Sequence, residues 1–302
     1  MRPWRTGNAR SRARLVALGL LLVVGGWLGS SLLVVHALTR RSESAPRAVA
    51  VPPGCRLLEV ETRASDGLRL CAWSLEVPDA RGVVLGLHGS GDSRRLWIAM
   101  VRPLADRGIA ALLPDLRAHG ASEGEHNDFG WSARRDVRAW AEWLDVHHPG
   151  LPRVVVGHSM GAAATLFAAQ EADLGALGYA LDACYRDLGT AQRNRLAGHL
   201  PGPLDAIAAL GMRAVAPLLL DFDVDERTPL AAARALAERG HPPVLVTGAL
   251  GDPWALPEEQ RDLAAALGEP VELVLVEGGG HISTLSRDPE AYAERIARLF
   301  AD

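Results

Sequence analysis

The chain has 302 residues, 48% hydrophobic and 23% charged, which is ample for a sizeable core and excludes a disordered polymer. All 32 basic residues are arginine, so Schiff-base enzymes, P-loop NTPases and Ser-Lys hydrolases, each needing a side-chain amine at the reacting centre, are excluded as well. The net charge of −4 divides unevenly: residues 1–47 hold eight arginines against Glu43, while the rest holds 24 arginines against 35 acids, a balance that repels a phosphate backbone and argues against nucleic acid as a partner.

Residues 15–38 form a run of 24 without a charge. As a helix it measures roughly 36 Å, enough for a hydrocarbon core of about 30 Å. Five arginines and no acid precede it. The positive-inside rule therefore places residues 1–14 in the cytoplasm as an Arg-rich head, and the bulk of the chain outside, behind an uncleaved single-pass signal anchor. A signal peptide cleaved after Val35-His36-Ala37 is the alternative. The apolar run is longer than the usual apolar region of about 7–15 residues, which favours retention. Residues 39–54, with Ser, Pro and Arg, read as a short linker. Cys55, Cys71 and Cys184 lack C-x-x-C spacing, and a hairpin turning at Ser65-Asp66-Gly67 sets Cys71 opposite a residue near Glu61, too far from Cys55 for a bridge.

From Arg56 the pattern alternates. Arg56–Arg63 and Leu68–Val77 read as antiparallel strands. The short apolar runs Gly82–Leu87, Ile109–Leu113, Arg153–Val156, Leu177–Leu181, Val244–Thr247 and Val271–Val276 read as buried strands. Helical stripes separate most of them, such as Val137, Trp140, Ala141 and Leu144 at i, i+3, i+4 and i+7. This predicts a mostly parallel sheet of eight strands with helices on both faces and ligands at the carboxyl ends of the strands. Residues 186–230 are longer than a crossover requires and read as a small helical cap. Its apolar part, through Leu200, Leu204, Ile207, Leu210, Met212 and Leu218–Leu220, is expected to roof the site and to favour uncharged acyl groups.

G-x-S-x-G occurs twice, at Gly120–Gly124 and Gly157–Gly161. Ser122 leads into a polar stretch with no helix to receive it, so it reads as a loop serine whose replacement is near neutral. Ser159 follows a strand and precedes the strong helix former Gly161-Ala-Ala-Ala-Thr-Leu-Phe. A strand-to-helix elbow exposes the serine hydroxyl and aims the positive end of the helix at a developing oxyanion, which makes Ser159 the nucleophile candidate.

With Leu87-His88-Gly89-Ser90-Gly91 after the third strand and Asp115-Leu-Arg-Ala-His-Gly-Ala-Ser122 further on, the chain from about residue 56 to the end resembles the α/β-hydrolase superfamily, nearest the serine aminopeptidase and monoacylglycerol-lipase-like hydrolases. Ala118 stands where that second stretch usually has glycine. The resemblance implies an α/β-hydrolase domain over 55–302 and a base near the C-terminus, which selects His281 after Gly278-Gly-Gly280. It implies an acid after the seventh strand, Asp252, with Asp182 after the sixth strand as the alternative location in the fold. His158 is the variable position of the elbow, and Asp115 ties down its own loop. Backbone N–H groups of Ser90 and Met160 would form the oxyanion hole. The implied activity is cleavage of a carboxylic ester, or a thioester or amide, through an acyl-enzyme, with a small acyl substrate and no metal or organic cofactor. An acyltransferase on the same triad, or a non-catalytic binding module on this scaffold, are the rivals.

Overall fold

The computed structural model describes residues 7–43 and 49–301. The first six residues of the Arg-rich head and residues 44–48 of the linker lie outside the described residues. Eight strands form one sheet: β1 (Arg56–Arg63), β2 (Arg69–Glu76), β3 (Gly82–Leu87), β4 (Ile109–Pro114), β5 (Arg153–His158), β6 (Ala176–Asp182), β7 (Val244–Ala249) and β8 (Val271–Val276). Their order is β1-β2-β4-β3-β5-β6-β7-β8, with β2 antiparallel to both neighbours and the other pairs parallel. This is the mostly parallel sheet expected from the alternation, in the α/β-hydrolase fold that the motif resemblance implies. Glu61 faces Cys71 across β1 and β2, and all three cysteines are free.

Among the described residues ten α-helices accompany the sheet: α1 (Gly7–Thr39), α2 (Val101–Ala105), α3 (Arg134–His147), α4 (Met160–Ala169), α5 (Leu188–Ala197), α6 (Leu204–Val215), α7 (Pro229–Arg239), α8 (Pro257–Leu267), α9 (Ser283–Arg287) and α10 (Pro289–Arg298). Strands β2 to β7 are mostly buried on both faces, on which their side chains alternate, whereas β1 and β8, at the sheet edges, are partly exposed, β8 against the buried strand expected for Val271–Val276. Val83, Leu85, Val155 and Leu181 join the core under α3, α4, α7 and α8; Val84, Ala111, Val154 and Ala180 join the one under α2 and α10. Trp140 and Phe167 fill the first core and Trp97 the second.

Strand order reverses at β3, whose neighbours β4 and β5 lead the chain in opposite directions. Ligands in such sheets bind in the crevice outside the strand ends at this switch point. The loops after β3 and β5 carry Ser90 and Ser159, and α5 and α6 are inserted between β6 and β7 above them. α1 contains one stretch, Ser11–Thr39, long and apolar enough to cross a membrane. The segment that follows is no free tether: the Arg41 and Ser42 N–H groups donate to the carbonyls of Glu125 and Ala118 at 2.8 Å each.

Candidate active site

Ser159 is the cap residue between β5 and α4, with φ +50° and ψ −109°. That conformation is strained for an L-residue and is retained where the surroundings over-determine it. Here the elbow is clamped. A Cβ on Gly157 would lie 2.5 Å from the backbone of Gly161 and Ala162, and one on Gly161 would lie 2.5 Å from the Leu87 carbonyl oxygen. The flanking glycines are therefore required by close approach of backbone to backbone. The Ser159 N–H donates to the Asp182 carbonyl at 2.8 Å, tying the turn to the end of β6.

The Ser159 hydroxyl lies 2.9 Å from His281 Nε2, and His281 Nδ1 lies 2.8 Å from Asp252 Oδ2. Asp252 is buried, and its Oδ1 accepts the N–H groups of Trp254 at 2.8 Å and Ala255 at 3.1 Å, which orients the carboxylate. The Trp254 ring stands edge-on to His281 at 5.2 Å and carries the Arg195 guanidinium on its face at 4.7 Å. Such an array can take a proton from the hydroxyl onto Nε2 while the carboxylate holds Nδ1–H and offsets the charge of the ring.

Asp182 belongs to a second pair. His158 Nδ1 donates to Asp182 Oδ2 at 2.7 Å and Thr247 Oγ1 donates to Asp182 Oδ1 at 2.7 Å, all three residues buried. The His158 ring lies 5.0 Å from that of His281. Each of the two acids thus holds its own histidine. A position read as merely variable in the elbow is a buried partner of Asp182.

The β3 loop crosses the elbow closely, since a Cβ on Gly89 would stand 3.0 Å from the His158 ring and 3.4 Å from Ser159 Cβ. This brings Ser90, Ser159 and Met160 to one cavity. Met160 opens α4, and its N–H is among the first-turn donors that lack an intrahelical partner.

His88 and His119 brace this loop in neutral form. His88 Nδ1 donates to the Gly89 carbonyl at 2.8 Å and its Nε2 accepts the Leu116 N–H at 3.0 Å; His119 Nδ1 donates to the Arg117 carbonyl at 2.8 Å and its Nε2 accepts the Gly91 N–H at 3.2 Å. Burial pushes His88 down to about 4 and His119 down to about 3. Below pH 6.5 the unfolded chain binds protons that these folded imidazoles refuse, so stability falls with pH from about 6.5 toward 3. Between pH 7 and 5, where ordinary carboxylates stay ionised, the urea stability is expected to drop by about 2 kcal/mol per histidine. A flat urea midpoint across that window would contradict two buried neutral rings.

Ser122 differs from expectation in one respect. It is a loop serine far from His281 in its bonding, but it is fully buried; its hydroxyl donates to the Asp115 carbonyl at 2.6 Å and accepts the Cys71 N–H at 2.9 Å. Replacement is not neutral for the fold, because the β2 N–H would lose its partner in a buried setting. Ser122→Ala is expected to cost about 1–3 kcal/mol in denaturant unfolding while the turnover of the folded fraction is unchanged. Asp115 accepts the N–H groups of Arg94 and Ala121 at 2.9 Å and so holds its loop. Ala118, where the family motif has glycine, has φ +59°, the region in which glycine carries no Cβ penalty.

The cavity above Ser159 has a volume of about 300 Å³. Its roof departs from the expected one. Of the apolar residues 200–220 only Met212 lines it; Leu204, Ile207, Leu210 and Leu218 face outward. Leu188, Ala191 and Leu196 of α5 supply apolar lining instead, with Arg195 and His199 beside them, and Val34 and Leu38 come from α1. Phe129, Tyr185 and Trp254 were not foreseen at the cavity. Tyr185 is set there by donating its hydroxyl to the Phe129 carbonyl.

The alpha/beta hydrolase family model matches residues 84–295, and the chain belongs to that family. Polyketide transferase ATR5 of Stachybotrys chlorohalonatus is 30% identical over 283 residues, covering 78% of this chain and 94% of the relative. Human monoglyceride lipase is 27% identical over 132 residues, covering 43% of each, so the match spans less than half of that lipase. Among solved structures, an esterase of Pyrococcus furiosus has a TM-score of 0.65 at 22% identity, with 86% of this chain and 97% of the esterase covered. An alpha-beta hydrolase of Vibrio vulnificus has a TM-score of 0.61 at 22% identity, covering 82% and 81%.

Proposed function

We propose that the chain is a membrane-anchored serine hydrolase that cleaves a carboxylic ester through an acyl-enzyme on Ser159. The observation that carries this reading is the hydrogen-bonded line Ser159–His281–Asp252 at a cavity of about 300 Å³. His281 Nε2 takes the proton as Ser159 Oγ bonds to the ester carbon. The carbonyl oxygen, now an anion, accepts the N–H groups of Met160 and Ser90. Collapse breaks the bond to the alkoxy oxygen, which leaves as an alcohol with the proton from His281. Water then enters, gives a proton to His281, and attacks the acyl carbon; Ser159 regains the proton as the acid departs. Each step uses groups of the chain and water.

Transfer of the acyl group to an alcohol other than water is the second reading, favoured by the 30% identity to a protein named a polyketide transferase. Turnover of a chromogenic ester panel with and without added alcohols separates the two. Free acid as the sole product is expected; a new ester as the main product at millimolar alcohol would assign a transferase, and no product from any ester would remove both.

The anchor reading rests on α1. Leu15–Gly26 is exposed throughout, whereas from Trp27 onward one stripe turns toward the domain. The exposed part measures roughly 18 Å, short of a hydrocarbon core of about 30 Å, so the docked turns complete the depth. The outward Leu204, Ile207 and Leu210 of α6 then share the lipid boundary with α1. Val35 is buried, which disfavours cleavage at Val35-His36-Ala37. A reporter fused after Asp302 is expected to be active only across the membrane from the cytoplasm, and activity of a cytoplasm-specific reporter there would reverse the orientation.

A further inference from the structure

Beyond Arg14, α1 carries no charge on any side, yet it meets the domain along one stripe. Trp27, Leu28, Ser31, Leu32, Val35 and Thr39 are covered, and the positions between them are not. The stripe lies along α6 in parallel register. Trp27 Nε1 donates to the Ile207 carbonyl at 3.1 Å, and Val35 packs with Met212 and Val215. At the crossing, a Cβ on Gly211 would fall 2.2 Å from Ser31 Oγ and 2.8 Å from the Trp27 ring. A small residue at this point lets the two backbones approach.

The lower end of the helix is fixed just as firmly. The Asn127 N–H donates to the Thr39 carbonyl at 2.8 Å and Asn127 Nδ2 to the Leu38 carbonyl at 3.3 Å. The Arg41 guanidinium donates to the carbonyls of Gly120, Ser122 and Gly124 at 2.6–3.0 Å. Held at Trp27 and at Thr39, the docked part of α1 has no slack to swing away. Val34 and Leu38, one turn apart beside the buried stripe, line the same cavity as Ser159, Met160 and Met212.

We propose that Val34 and Leu38 form a wall of the acyl-binding pocket and set the acyl length it accepts, so that the anchor helix is also a specificity element. The proposal rests on the ester-hydrolase reading for the identity of the ligand, an aliphatic acyl chain. Its geometry stands apart from that reading. Both residues are partly exposed, at 43% and 37%, and an acyl chain laid against them would cover apolar surface on both partners. Each methylene so buried is worth about fourfold in binding. Filling the wall takes away room for about two methylenes in Val34→Phe and about one in Leu38→Phe.

The test uses the full chain in membranes and compares wild type with Val34→Phe, Leu38→Phe and Leu33→Phe. Leu33 is 70% exposed and does not line the cavity. Acyl-length preference is read twice: as kcat/KM on p-nitrophenyl esters from acetyl to dodecanoyl, and as competition by free fatty acids of the same lengths for a bound fluorescent fatty acid, which needs no chemistry at Ser159. The ratio of the best long chain to the shortest is expected to fall about 15-fold in Val34→Phe and about fourfold in Leu38→Phe, with Leu33→Phe following wild type. An unchanged ratio in Val34→Phe and Leu38→Phe, or no length preference in wild-type binding, would overturn the wall. A binding profile that shifts in Leu38→Phe while wild type hydrolyses no ester would uphold the wall and overturn the hydrolase reading alone. Because a bulky variant can also disturb folding, the docking is checked separately with Val35→Cys paired with Val215→Cys, two residues of one buried cluster. Mild oxidation in membranes is expected to link the two residues, and failure to link them would overturn a docked α1.

Discussion

Ser159→Ala is expected to lower ester turnover by about five to six orders of magnitude and to leave the fold intact. The hydroxyl is the only group removed, and the residual rate comes from the oxyanion donors and from binding. Stability should change by no more than about 1 kcal/mol, because the lost hydrogen bond to His281 faces the cavity rather than a sealed core. Turnover in the mutant within tenfold of wild type, with thermal unfolding unaltered, would rule out nucleophilic attack by Ser159. A mutant that simply unfolds would instead point to a structural part for the elbow.

Asp252→Asn should cost about four orders of magnitude in kcat. The Asn carbonyl can keep the N–H donors of Trp254 and Ala255 that now bond Oδ1, which leaves the amide nitrogen toward His281. An N–H group facing Nδ1 forces the proton onto Nε2, and a protonated Nε2 cannot accept one from Ser159. Asp182→Asn creates the same conflict at His158, which bonds neither Ser159 nor Asp252 through its ring nitrogens. Its expected cost is about 1–3 kcal/mol of stability, from the buried bonds to His158 and Thr247, with kcat lowered less than tenfold. Measured side by side, kcat and the urea midpoint separate the two acids. A kcat loss centred on Asp182 would transfer the catalytic role to the acid after β6.

Elements whose periodicity differs from their surroundings were legible in the sequence. The short apolar runs of the parallel strands are bounded by helical stripes and glycine turns, and the sheet follows from them within one or two residues at each end. The serine elbow is equally plain because strand, serine and helix are contiguous. Contacts between distant segments were harder. In α1 large apolar side chains point to every side beyond Arg14, so no pattern marks Trp27, Ser31 and Val35 as the face that docks on α6. Hydrophobicity alone likewise cannot tell Met212, which lines the cavity, from Ile207 and Leu210, which face outward. The His158–Asp182 pair is 24 residues apart and joins the ends of two neighbouring strands, β5 and β6; only their register, His158 beside Asp182, brings it together. The structural weight of Ser122 escaped for a related reason. Its partners Asp115 and Cys71 come from a strand end and another strand, while its local sequence is that of an ordinary polar loop.

The nucleophile can be identified without knowing the substrate. The full chain, treated with a fluorophosphonate at neutral pH and digested, yields peptides in which a phosphonylated serine is located by mass spectrometry. A single adduct on Ser159, absent after acid or heat denaturation and reduced by several orders of magnitude in rate in Asp252→Asn, is the expected result. No adduct, or one on Ser122 or another serine, would contradict an activated Ser159.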